Sequence, residues 1–123
     1  MESLVCRVTP LTVLPDIVPT AQQYRDLGFD AVETGNPDCV GLRAGNSYLI
    51  LATVDHMAGD FPSAAVEPLV GKTIPYIHVR SIEIAKERLP PSAVVVDQTS
   101  TRGGTIEALV ERDGQYVILA EKE

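Results

Sequence analysis

Tryptophan is absent from this 123-residue chain, and phenylalanine and cysteine occur only twice each. So few cysteines exclude a disulfide framework, and neither Cys6 nor Cys39 stands in a C-x-x-C pair, so a reducing, cytoplasmic setting is expected. Neither thiol has a run of bases beside it, which makes each a small buried residue in expectation, not a nucleophile. Basic side chains are also few: 10 Lys and Arg against 17 Asp and Glu give a net charge of −7. A phosphate backbone needs a cationic surface, so no nucleic-acid partner is expected, whereas cationic ligands would be attracted. No apolar run reaches the roughly 20 residues that span a bilayer, so no membrane partner is expected either. "MESLVCRVTPLTVLPD" lacks a basic segment followed by a long apolar run, and no signal peptide is expected.

The sequence is instead rich in short β-forming runs, and it repeats itself. "YLILA" at 48–52 returns as "YVILA" at 116–120, and "VLPDI" at 13–17 aligns with "HVRSI" at 78–82. Between these landmarks the order of elements also repeats. A strand over 4–14 carries Pro10, which forces a bulge or an edge. Ile17, Ala21, Tyr24 and Leu27 then recur at helical spacing, with Asp16 as cap and Gly28 as stop. Strands follow over 29–34, 39–43 and 48–54, separated by Gly, Asn and Pro turns. Residues 55–71 show neither period and read as a linker with one helical turn. Thr73–Val79 restarts the series, Ser81 caps a helix stopped by Pro90-Pro91, and strands follow over 93–97, 105–111 and 116–120. The chain is one domain of two β-α-β-β-β copies: module one 1–54, linker 55–71, module two 72–123. A single chain of this size leaves apolar faces and sheet edges, so a homodimer is expected, with Met57, Phe61, Val66 and Leu69 of the linker as its contact.

Tandem units of this length, with "QYRDLGF" at 23–29 and "GGTIEALVERDGQYVILAE" at 103–121, resemble the glyoxalase / bleomycin-resistance / extradiol-dioxygenase superfamily, the vicinal oxygen chelate fold. The resemblance spans essentially the whole chain. It implies an α+β fold in which two βαβββ modules form a curved, cup-like mixed sheet with helices on the outer face. In metal-using relatives the first and last strand of each module carry His, Glu or Gln ligands, and those positions fall here on Thr9, Ile50, Ile74 and Ile118. Isoleucine has no donor atom, so no metal and no cofactor are expected. Metal-free relatives bind drugs such as bleomycin, often as dimers. The resemblance thus implies a binding protein that sequesters a drug or hydrophobic metabolite, as in antibiotic resistance.

Strand parity then assigns the cup lining. Arg7 falls with Thr9, Tyr48 with Ile50, Tyr76 and His78 with Ile74, Tyr116 with Ile118, and Glu107 with Leu109 on the penultimate strand. An apolar floor rimmed by Tyr, His, Arg and Glu suits a small organic ligand. Equally, the tyrosines serve as β-formers that cover the sheet, and His78 as a polar rim residue. His56, beside Asp55, reads as solvated. "TSTRGG" at 99–104 frames the mouth of the cup. Three alternatives stay open: an enzyme with His78 and Glu107 as acid–base pair and Arg7 holding an anion, a metal at an unforeseen site, and a cup filled by its own side chains.

Overall fold

Ile17, Ala21 and Tyr24 recur on one side of a short helical segment, and nine residues are too few to hold a helix in water alone. A computed structural model, which describes residues 3–32 and 35–123, shows where that stripe goes. Helix α1 (Val18–Asp26) lays Ile17 and Ala21 on Leu42 and Leu51, with Leu14, Tyr24, Phe29, Val40 and Leu49 around them. Its N-cap is Ile17, without a side-chain cap, and Asp16, expected in that role, sits one residue earlier, where its carboxylate accepts the Val18 N–H at 3.0 Å; its end is set by Gly28 at φ +111°.

The chain forms two compact units, residues 9–73 and residues 74–123 together with the N-terminal eight. In the first, strand β1 (Val5–Leu14), β2 (Asp30–Val32), β3 (Cys39–Ala44) and β4 (Ser47–Thr53) take the order β2-β3-β4-β1. The β1–β4 pair is parallel and the other pairs are antiparallel. The ladder to β4 begins at Leu11, immediately after Pro10, which has no N–H to give it. Glu33 and Thr34, expected to end β2, lie outside the described residues.

Residues 55–71 fold as an integral part of this unit. Thr53 accepts the His56 N–H at 3.0 Å and caps helix α2 (Val54–Ala58); helix α3 (Ser63–Val66) and a 3₁₀ turn (Glu67–Leu69) follow. Met57, Phe61, Val66 and Leu69 are 5%, 2%, 1% and 0% exposed, so the dimer contact expected of them is not available. These side chains are core. His56 is half-buried and its Nδ1 meets the Asn36 amide nitrogen at 3.1 Å, so it is not a solvated side chain.

The second unit repeats the plan. Strands β5 (Thr73–Val79), β6 (Val94–Ser100), β7 (Thr105–Arg112) and β8 (Gln115–Lys122) take the order β5-β8-β7-β6, with β5–β8 parallel. Helix α4 (Ile82–Glu87) packs Ile82 and Ala85 on Val79, Ala108, Val110 and Leu119. Two side chains secure its start: Ser81 Oγ accepts the Ile84 N–H at 3.2 Å, and Glu121 Oε1 accepts the Ile82 N–H at 2.8 Å. The duplication holds at the level of register. Leu11 pairs with Ile50 and Tyr76 with Ile118, so the copies align at an offset of 65 on the first strand and 68 on the last. The start of β1 belongs to the second unit, where Leu4 C=O accepts the Arg80 N–H at 2.9 Å. Residues 5–8 stay exposed there, Cys6 among them, which corrects the expectation of a buried thiol.

Candidate functional site

In the second unit one face of the sheet is taken by α4, so the other face decides what the unit can bind. Register assigns that face directly. His78 and Glu107 are both partners of Ala120, and Tyr76 and Leu109 are both partners of Ile118. All of these alternate with Ile77, Val79, Ala108, Val110, Val117 and Leu119, which pack with α4. The parity reading therefore places Tyr76, His78, Glu107, Leu109 and Ile118 on one face, with Ile74 and Tyr116 two residues along their strands.

A polar network runs across this face. Glu107 is only 9% exposed, and a carboxylate taken out of water needs donors. Tyr76 supplies one through its hydroxyl, and Thr105 Oγ1 supplies another at 2.7 Å. Thr101 Oγ1 lies 2.8 Å from Thr105 Oγ1, and because the Thr105 proton goes to Glu107, Thr101 donates in that pair. Ala120, the register partner of both His78 and Glu107, contributes only a methyl group between their strands. The ring of Tyr76 meets His78 edge-on, with centroids 5.0 Å apart.

His78 turns the other way. Its Nδ1 lies 3.4 Å from Arg7 Nη2. A guanidinium can only donate, so Nδ1 is the acceptor and the neutral ring carries its proton on Nε2. Burial, and to a lesser degree the Arg7 charge, hold the imidazole below its ordinary value, which keeps it neutral at pH 7. Arg7 is exposed, and Tyr76, His78 and Tyr116 are half-buried. Ile74, Leu109 and Ile118 are buried within the chain, so the apolar floor is already covered and the polar rim is the accessible part.

The remaining expected residues, Thr9, Tyr48 and Ile50, belong to the first unit. Thr9 is buried; Tyr48 and Ile50 are half-buried on the face away from α1. The Tyr48 ring lies over Gly41, so closely that a Cβ there would sit 1.9 Å from the hydroxyl oxygen, and the Arg43 guanidinium carbon stands 5.6 Å from the ring centroid. Thr105, Gly41 and Arg43 were not foreseen as site residues, whereas Thr101 falls in the 99–104 stretch expected at the mouth of the cup. Thr105 had a legible signal, since it lies two residues from Glu107 on the same strand face.

The donor chemistry can also be set against the metal used by many relatives of this fold. Thr9, Ile50, Ile74 and Ile118 offer one hydroxyl among four side chains, and three of the four have no donor. Among the described residues no three His, Cys, Asp or Glu side chains gather at one point. A divalent ion does not fit the side chains at those four positions.

No protein-family model matches the sequence, and no curated protein matches it significantly. Solved structures do match over nearly the full length. A glyoxalase/bleomycin resistance protein/dioxygenase superfamily member from Vibrio splendidus 12B01 superposes with a TM-score of 0.68 at 20% identity, covering 94% of this chain and 98% of that one. A hypothetical protein from Bacillus halodurans C-125 gives 0.63 at 16% identity over 95% and 94%. An uncharacterised protein from Methanosarcina mazei gives 0.51 at 14% identity over 100% and 95%. At these identities the likeness speaks for fold. With two copies of one βαβββ register and these neighbours, the chain has the fold of the glyoxalase/bleomycin resistance protein/dioxygenase superfamily.

Proposed function

We propose that this chain is a metal-independent binding protein for a small organic molecule, a drug or hydrophobic metabolite that it holds without transforming. One observation carries the reading. The face of the second unit opposite α4 joins an accessible rim of Arg7, His78 and Tyr76 to a buried carboxylate, while three of the four positions that hold metal in relatives, Ile50, Ile74 and Ile118, carry hydrocarbon and the fourth is Thr9. Such a face has directional polar groups and aromatic surface, which orient a ligand, and no Lewis acid to activate one. The enzymatic alternative needs His78 and Glu107 to work as a pair. Here His78 bonds Arg7, whereas Glu107 is held by Tyr76 and Thr105.

A thermal-shift screen of purified protein against a broad panel of drugs and metabolites tests the proposal. A compound that raises Tm equally before and after chelator treatment, and is recovered chemically unchanged, is the expected result. Binding that requires an added divalent ion, or turnover of the bound compound, overturns it.

A further inference from the structure

The chemistry of the rim narrows the ligand class, an inference that rests on the binding reading above. Arg7 sits in a chain with 17 acidic residues, yet among the described residues its hydrogen-bond partner is a neutral histidine. One guanidinium N–H is spent on His78 Nδ1, which leaves four others on an exposed group. His78 in turn has its remaining ring nitrogen, Nε2, in the donor state. Two side chains from β1 and β5 thus present N–H donors side by side, while the acceptor on this face, Glu107, is buried under Tyr76 and Thr105. We propose that the ligand carries an oxyanion, a carboxylate or phosphate group, seated on Arg7 and His78. The bidentate fork of an arginine matches either group, and the imidazole N–H adds a third bond. This is the opposite of what the chain's net charge of −7 favours at long range: the overall field draws cations, and the local donors select an anion.

The chain has two histidines, which supplies an internal control. Proton–carbon NMR follows the imidazole signals of both during titration with inorganic phosphate, and separately with acetate, at fixed pH and ionic strength. The expected result is a saturable shift of His78 with His56 unmoved. Arg7→Gln weakens the phosphate affinity by about tenfold or more, and Arg7→Lys less, as loss of a charge-assisted fork implies. Arg7 is exposed, so both variants keep the fold, which the remaining amide spectrum verifies. Joint, non-saturating movement of His78 and His56, or an unchanged affinity in Arg7→Gln, overturns the inference. The two proposals fail separately. An organic compound that binds this face only as a cation or neutral molecule refutes the anion and leaves the binding function, whereas saturable phosphate with no organic binder does the reverse.

Discussion

Removing the Tyr76 hydroxyl while keeping its ring isolates the bond on which the buried carboxylate depends. In Tyr76→Phe the ring stays edge-on to His78, and Glu107 loses one of its donors. At 9% exposure water cannot freely replace that donor, so the cost is that of a hydrogen bond to a charged group, about 1.5–3 kcal/mol. For a chain of this size about 1 kcal/mol moves Tm by roughly 4 °C, so the expected loss is roughly 6–12 °C. Glu107→Gln removes the charge and keeps an acceptor. In that background the hydroxyl matters less, about 0.5–1.5 kcal/mol, the value of a neutral bond. Urea unfolding of the two single variants and the double variant closes the cycle, and the expected coupling is about 1 kcal/mol or more. Additivity within about 0.3 kcal/mol would show that the Tyr76–Glu107 contact is incidental, and the account of this face would fail with it.

Other expectations follow from single contacts. Ser81→Ala removes the α4 cap and costs about 1 kcal/mol by urea unfolding, and Glu121→Ala, which leaves the Ile82 N–H without its acceptor, costs a similar amount. For His78 the folded state favours the neutral ring, so below the ordinary value of 6.5 the unfolded chain binds more protons. Its contribution is therefore present above pH 6.5 and lost as pH falls through the folded-state value; NMR titration of Arg7→Gln should move His78 back toward, but not up to, its ordinary value, because burial is the larger cause. Gly41→Ala displaces the Tyr48 ring, costing about 0.5–1 kcal/mol of contact with Arg43 against a gain of about 0.4–1 kcal/mol from a stiffer unfolded chain, so stability barely changes while the ring signals of Tyr48 move; in a Tyr48→Ala background the same change should stabilise.

The elements visible in the sequence were those with a clean period and a local stop signal. Gly28 and Ser81 mark their helix ends by chemistry that acts within a few residues, and the structure uses both as expected, while Asp16 bonds the Val18 N–H from one residue before the cap. Strand parity on β5, β7 and β8 was legible because one face is committed to α4, which makes alternation mandatory. The stretch 55–71 was not legible. Its helices are one turn long, so Met57, Phe61, Val66 and Leu69 never establish a period, and only tertiary packing reveals them as core. Hydrogen-bond direction was equally hidden. That Tyr76 would turn to Glu107 and His78 to Arg7 depends on side-chain reach across three strands, which no spacing encodes.

The internal duplication offers a further test, because each copy is a control for the other. Applying the two offsets, Tyr76, His78 and Glu107 correspond to Leu11, Val13 and Cys39. The first copy builds the same parallel and antiparallel register with those three residues, two of them buried aliphatics. The fold therefore does not require the polar trio. Replacing it with its own counterpart, Tyr76→Leu with His78→Val and Glu107→Cys, removes the carboxylate together with its tyrosine donor, so no buried charge is left behind. Exchange of a satisfied polar network for apolar groups is often neutral or stabilising, whereas breaking one member is costly. The triple variant should thus unfold at a urea concentration no lower than Tyr76→Phe does, although it carries three changes instead of one. With Arg7 kept and the His78 N–H gone, its phosphate affinity, read by calorimetry, should be weaker than that of the parent protein. A triple variant markedly less stable than Tyr76→Phe would mean that these residues hold the second copy together. Their presence would then be explained by folding, and the case for a ligand on this face would rest on Arg7 alone.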